Sequence, residues 1–85
     1  MIVSRGKYYP TAAFTQYRMD RDWSQQQMAD YLTLQLGRPV SKSLVQKWEQ
    51  GVKPVTPDSC IEIAKILQIN VRELFEMRGS EILNG

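Results

Sequence analysis

Apolar residues recur at steps of three and four along most of this chain, and polar clusters fall where helices would start and stop. From Thr11, which can cap, Phe14, Tyr17, Arg18 and Arg21 follow helical spacing until Asp20-Arg21-Asp22 marks an end. Ser24-Gln25-Gln26-Gln27 has the S-x-x-Q spacing of a capping box, in which each side chain satisfies the other residue's amide. It predicts a second helix over about 24–36, with Met28, Ala29, Leu32 and Leu36 on one stripe. Gly37 suits a left-handed helix end, and Pro39 prevents resumption. Ser41 opens a third helix, about 42–50, with Val45 and Trp48 inward and Gly51 as the stop. Thr56-Pro57-Asp58 starts a fourth over about 57–67, with Ile63, Ala64 and Leu67 on its core stripe. Asn70 with Glu73 starts a fifth over about 71–77 that buries Leu74 and Phe75. Residues 1–10 show no sustained period and read as an arm. Residues 78–85 have little to pack and read as a fraying tail. The fold expected is all-α, a compact bundle of five short helices over residues 11–77.

Composition changes this picture little, and what is missing changes it more. At about 100–200 residues per domain, 85 residues make one domain, and 42% hydrophobic with 24% charged is ordinary globular usage. Net charge is only +2, but residues 38–53 carry Arg38, Lys42, Lys47 and Lys53 against the single acid Glu49. That is a positive island of the kind a polyanion finds. With no histidine, Ser-His, Cys-His and His-metal sites are excluded. One cysteine, Cys60, allows neither an intrachain disulfide nor a thiolate cluster, and it reads as a small apolar residue on the fourth helix. The glycines are isolated, so no phosphate-cradling loop is present. No apolar run is long enough for a membrane, and Met1-Ile2-Val3-Ser4-Arg5 lacks a signal-peptide core. These absences point to a binding protein without cofactor or metal, not an enzyme.

The stretch from Trp23 to Gly51 carries the meaning. Two short helices, the second strongly capped, make a helix-turn-helix, a motif whose second helix enters the major groove by its N-terminal end. Lys42 and Ser43 lie at that end, with Gln46 and Lys47 one turn on, all off the stripe of Val45 and Trp48. An N-terminal dipole with donor-rich side chains suits phosphate and base-edge contact. Trp23 reads as closing the core edge, and Tyr8 and Tyr9 as packing the arm onto the domain.

At these residues the sequence resembles the Cro and phage-repressor family of helix-turn-helix proteins. The matching pieces are F-x-x-Y-R at 14–18, W-S-Q-x-x-M-A at 23–29 and V-S-x-S-x-V-x-x-W-E-x-G from Val40 to Gly51. Two more follow, T-P-D-S-C-I-E-I-A-K-I-L from Thr56 and I-N-V-R-E-L-F from Ile69. The resemblance implies a lambda-repressor-like domain that binds double-stranded DNA. It makes Lys42, Ser43 and Lys47 the main base readers with Gln46 and Leu44 as lesser ones, and Gln25 and Lys53 backbone contacts. Arg18 and Glu49 match a pair tying the first helix to the recognition helix. Asp22 and Gln68 stand where the family often has glycine, which marks both for unusual turns. Between Leu32 and Val40 the chain carries seven residues, Thr33 to Pro39, where the family's connection is far shorter. The expectation is that this addition shifts Arg38 toward the DNA backbone or changes the angle of the recognition helix.

The function expected is that of a small cytoplasmic repressor or switch regulator, prokaryotic or phage-encoded, bound to paired half-sites as a homodimer. Leu74 to Leu83 is the first candidate for its dimer surface. A rival reading stays open at this point: a protein-interaction module, such as an antitoxin or antirepressor, working through residues 71–85 with Met77, Ile82 and Leu83. Operator, regulated gene and host are not written in the sequence.

Overall fold

In the computed structural model, which describes residues 7–78, each helix opens at a side chain that takes up an otherwise unpaired amide. The Thr11 hydroxyl accepts from the Ala13 amide to open α1 (Ala12–Asp20). Ser24 opens α2 (Gln25–Leu36), and both bonds of its capping box form, Gln27 N–H to Ser24 Oγ at 3.1 Å and Ser24 N–H to Gln27 Oε1 at 2.8 Å. Ser41 caps α3 (Lys42–Glu49), Thr56 caps α4 (Pro57–Leu67) and Asn70 caps α5 (Val71–Leu74). α2 closes on left-handed Gly37 (φ 72°). Asp22 (φ 55°) and Gln68 (φ 58°) take the same conformation without being glycine, at the two turns the sequence marked as unusual. No helix among the described residues is long and apolar enough to cross a membrane.

The ends of the domain differ from the helical reading. α5 stops at Leu74, and Phe75–Arg78 forms a strand, β2, instead of the helix's last turn. It pairs antiparallel with β1 (Lys7–Pro10), in the register Lys7↔Arg78, Tyr8↔Met77, Tyr9↔Glu76 and Pro10↔Phe75. Residues 7–10 of the expected arm and Arg78 of the expected tail are therefore part of a two-stranded sheet. Residues 1–6 and 79–85 lie outside the described residues. On its other side β1 meets Val55, whose amide donates to the Tyr8 carbonyl at 2.8 Å. Thr11 fastens the junction, with its amide bonded to the Leu74 carbonyl at 2.8 Å and its hydroxyl to the Glu73 carbonyl at 2.6 Å.

Between the helices Phe14, Met28, Leu32, Val45, Ile63 and Leu74 are fully buried. Phe14 meets Trp48 edge-on, ring centroids 6.1 Å apart, which seats α3 on α1. Leu36, placed on the core stripe, is only half-buried, and Val40 and Val55 join the core from connecting segments. Trp23 stands half-buried at the α1–α2 turn against Tyr17 and Tyr31. The additional stretch Thr33 to Pro39 lengthens α2 and then doubles back. The Thr33 hydroxyl accepts from the Val40 amide at 2.8 Å and donates to the Val40 carbonyl at 3.0 Å.

Candidate nucleic-acid interface

A helix turns about 100° per residue, so α3 divides cleanly into two sides. Val45 and Trp48 are buried, with Leu44 and Glu49 half-buried beside them. Lys42, Ser43, Gln46 and Lys47 are all exposed on the other side. Gln50, just past the helix, is also exposed and continues the step Lys42, Gln46, Gln50. Gln50 is not among the residues expected from the sequence; the polar i, i+4, i+8 step is the signal that finds it. The result is a ridge of amide, hydroxyl and ammonium groups on a helix whose back is fixed in the core.

One network sets the angle of that ridge. The Arg18 guanidinium donates to Glu49 through Nε to Oε2 at 2.9 Å and Nη2 to Oε1 at 3.0 Å. Its Nη1 donates to the Trp23 carbonyl at 2.9 Å. Gln25 Nε2 adds a bond to Glu49 Oε1 at 3.1 Å. The planar fork of an arginine matches a carboxylate in this two-bond geometry, which a lysine cannot do. The end of α1, the start of α2 and the end of α3 are thus held at one carboxylate. Gln25, expected at the DNA backbone, has part of its amide engaged here.

The remaining candidates separate. Lys53 is exposed in the loop after α3, where the Val52 and Lys53 amides both turn back to the Lys47 carbonyl. Arg38 faces α4: its Nη2 donates to Glu62 Oε1 at 3.0 Å and to Ser59 Oγ at 2.9 Å. In this fold it ties the long α2–α3 connection to α4, a role hidden from the sequence because Glu62 lies two helices away. Leu74 and Phe75, expected at a dimer surface, belong to the chain's own core. Met77 is exposed on β2, while Ile82 and Leu83 lie outside the described residues. Among the described residues two titratable groups are perturbed, both away from the ridge. Burial pushes the Cys60 thiol up to about 11. Tyr17 is also raised, first by burial and then by its hydrogen bond with Tyr31.

Among the described residues no group of three or more acidic or cysteine side chains could hold a metal ion. No curated protein and no solved structure matches the chain. The helix-turn-helix family model matches residues 15–74, which contain all of α2, α3, α4 and α5 and most of α1. The chain therefore belongs to the helix-turn-helix family of the Cro and phage-repressor type, a family of DNA-binding regulators.

Proposed function

We propose that this protein binds double-stranded DNA sequence-specifically as a small transcriptional repressor, with the N-terminal half of α3 in the major groove. The observation that carries the reading is the exposed ridge of Lys42, Ser43, Gln46 and Lys47 on a helix locked from behind by Trp48 and the Arg18–Glu49 pair. These four side chains offer donors and acceptors to base edges at the helix end that this motif presents to DNA. Gln25 and Lys53 flank the ridge and meet phosphates. Arg38 reaches a phosphate only by exchanging Glu62 for it, so its effect on affinity is small and equal for all sequences. Binding as a homodimer sets paired half-sites about 34 Å apart, one turn of the duplex. No reaction and no cofactor form part of this reading.

Selection of binding sites from a random duplex pool, followed by titration of variants, tests it. Lys42→Ala and Lys47→Ala should each lose about 1–3 kcal/mol of discrimination for the selected site. Both are exposed, so stability should move by no more than about 0.5 kcal/mol. Lys53→Ala should weaken all duplexes alike, with a salt slope shallower by about 0.9. If Lys42→Ala and Lys47→Ala hold the selected site as tightly as the parent, α3 is not the reading element.

A further inference from the structure

The sheet formed by the two ends of the domain has no place in the reading above, yet its outer end lies against the loop that follows α3. Gly51 (φ +71°) opens that loop, and a Cβ placed on it would stand 2.8 Å from Arg78 Nη1. The guanidinium of β2 therefore lies against the bare face of the glycine, with the Tyr9 ring centroid 5.2 Å from its central carbon. On the neighbouring strand Lys7, paired in register with Arg78, lines a shallow groove with Tyr8, Pro54 and Val55. Lys7 and Arg78 thus bracket residues 51–55, the segment that carries exposed Lys53. Arg78 carries an acid partner on its own strand. Glu76 Oε1 takes Arg78 Nε at 3.2 Å and Nη2 at 2.9 Å, and both side chains remain about half exposed.

We infer that the Lys7–Arg78 end of the sheet is a second DNA contact, a phosphate clamp beside the recognition helix that grips the backbone flanking the bases α3 reads. The inference rests on the DNA-binding reading and extends its footprint. A guanidinium set at an angle by an aromatic ring and a glycine presents its fork in a fixed direction, as two-point phosphate contact requires. Neighbouring Lys7 and Lys53 add point charges along the same edge, and each phosphate neutralised releases condensed counterions. In the free protein Glu76 holds the guanidinium in place, and the phosphate takes over the carboxylate's position on binding. An arginine serving only the carbonyl end of α3 would need no Lys7 beside it and would not change the salt dependence of binding.

Titration of a selected and a scrambled duplex between about 50 and 200 mM salt tests the clamp, because each phosphate contact steepens the logarithmic slope by about 0.9. Lys7→Ala and Arg78→Ala should each weaken both duplexes equally and make the slope shallower by about that amount. Glu76→Gln should tighten both duplexes severalfold. Lys65→Ala, an exposed cation on α4, should keep the parent slope. Thermal melting of each variant reports the fold, and Lys7→Ala with Glu76→Gln carries the test if Arg78→Ala does not fold. Parent slopes in Lys7→Ala and parent affinity in Glu76→Gln, with Lys42→Ala still losing the selected site, overturn the clamp and leave the DNA reading standing. A parent that binds no duplex overturns both.

Discussion

Three donor groups converge on the Glu49 carboxylate, two from Arg18 and one from Gln25, in a setting where the side chains of Arg18 and Glu49 are only 16% and 9% exposed. Removing one partner strands the other's charge away from water. Arg18→Met and Glu49→Leu should therefore each cost about 3 kcal/mol, the low end for a buried pair because its edge still touches solvent. The double variant should cost less than the two singles summed by more than about 1 kcal/mol in denaturant titration. Additivity within about 0.5 kcal/mol would mean that the pair contributes nothing jointly. Cys60 makes a second prediction. Its thiol, buried against the Val55 carbonyl, is raised to about 11, whereas an unfolded cysteine titrates near 8.5. Above about pH 8.5 the unfolded chain has lost a proton that the native chain retains, so stability falls as pH rises toward 11 and is undiminished below that window. The parent's melting temperature should decline across that range more steeply than that of Cys60→Ala. Equal slopes would place the thiol in contact with water.

Helix ends carry the differences at the scale of elements. α2 closes on a glycine, while α4 closes on Gln68 in the same left-handed conformation. A side chain in that region costs about 1–2 kcal/mol, part of which a glycine returns as extra freedom in the unfolded chain. The Gln68 amide bonds to the Ala64 and Lys65 carbonyls through the backbone, and the side chain is exposed. Gln68→Gly should keep those bonds and raise stability by about 0.5–1 kcal/mol in thermal or denaturant melts. A loss of stability would show that the glutamine side chain contributes something the backbone geometry does not. The lengthened α2 belongs to the same scale. Its last turn has no basic residue to favour its end, and the extension is held by Thr33 on Val40 and by Arg38 on α4.

At the scale of the whole molecule, α3 is gripped at its C-terminal end from two directions. Arg18 reaches Glu49 from α1, and Arg78 lies over Gly51 from the sheet. The sheet in turn depends on closure of the domain's ends, with β1 between β2 and Val55 and with Thr11 bonded to the end of α5. A net charge of +2 says little about such a molecule. What matters for a polyanion is that Lys42, Lys47 and Lys53 lie on α3 and its following loop, while Lys7 and Arg78 arrive beside that loop only through folding.

Caps and stripes were legible because they are local. Thr11, Ser24, Ser41, Thr56 and Asn70 act on amides two or three residues away, and Phe14, Met28, Leu32, Val45 and Trp48 announce their faces by spacing alone. The exposed side of α3 followed from the same periodicity. Family resemblance, not spacing, is what links Arg18 to Glu49 at the level of sequence. Tertiary structure decided what depends on partners far along the chain. Phe75-Glu76-Met77-Arg78 alternates apolar and polar as a strand does, but four residues after a strong helix start also fit another turn of helix. Only β1, from the opposite end of the domain, supplies the hydrogen bonds that settle the choice. Gln25 on Glu49 and Arg38 on Glu62 were hidden for the same reason: a side chain's type shows what it can bond, and only the packed fold determines which group stands within hydrogen-bond reach of it.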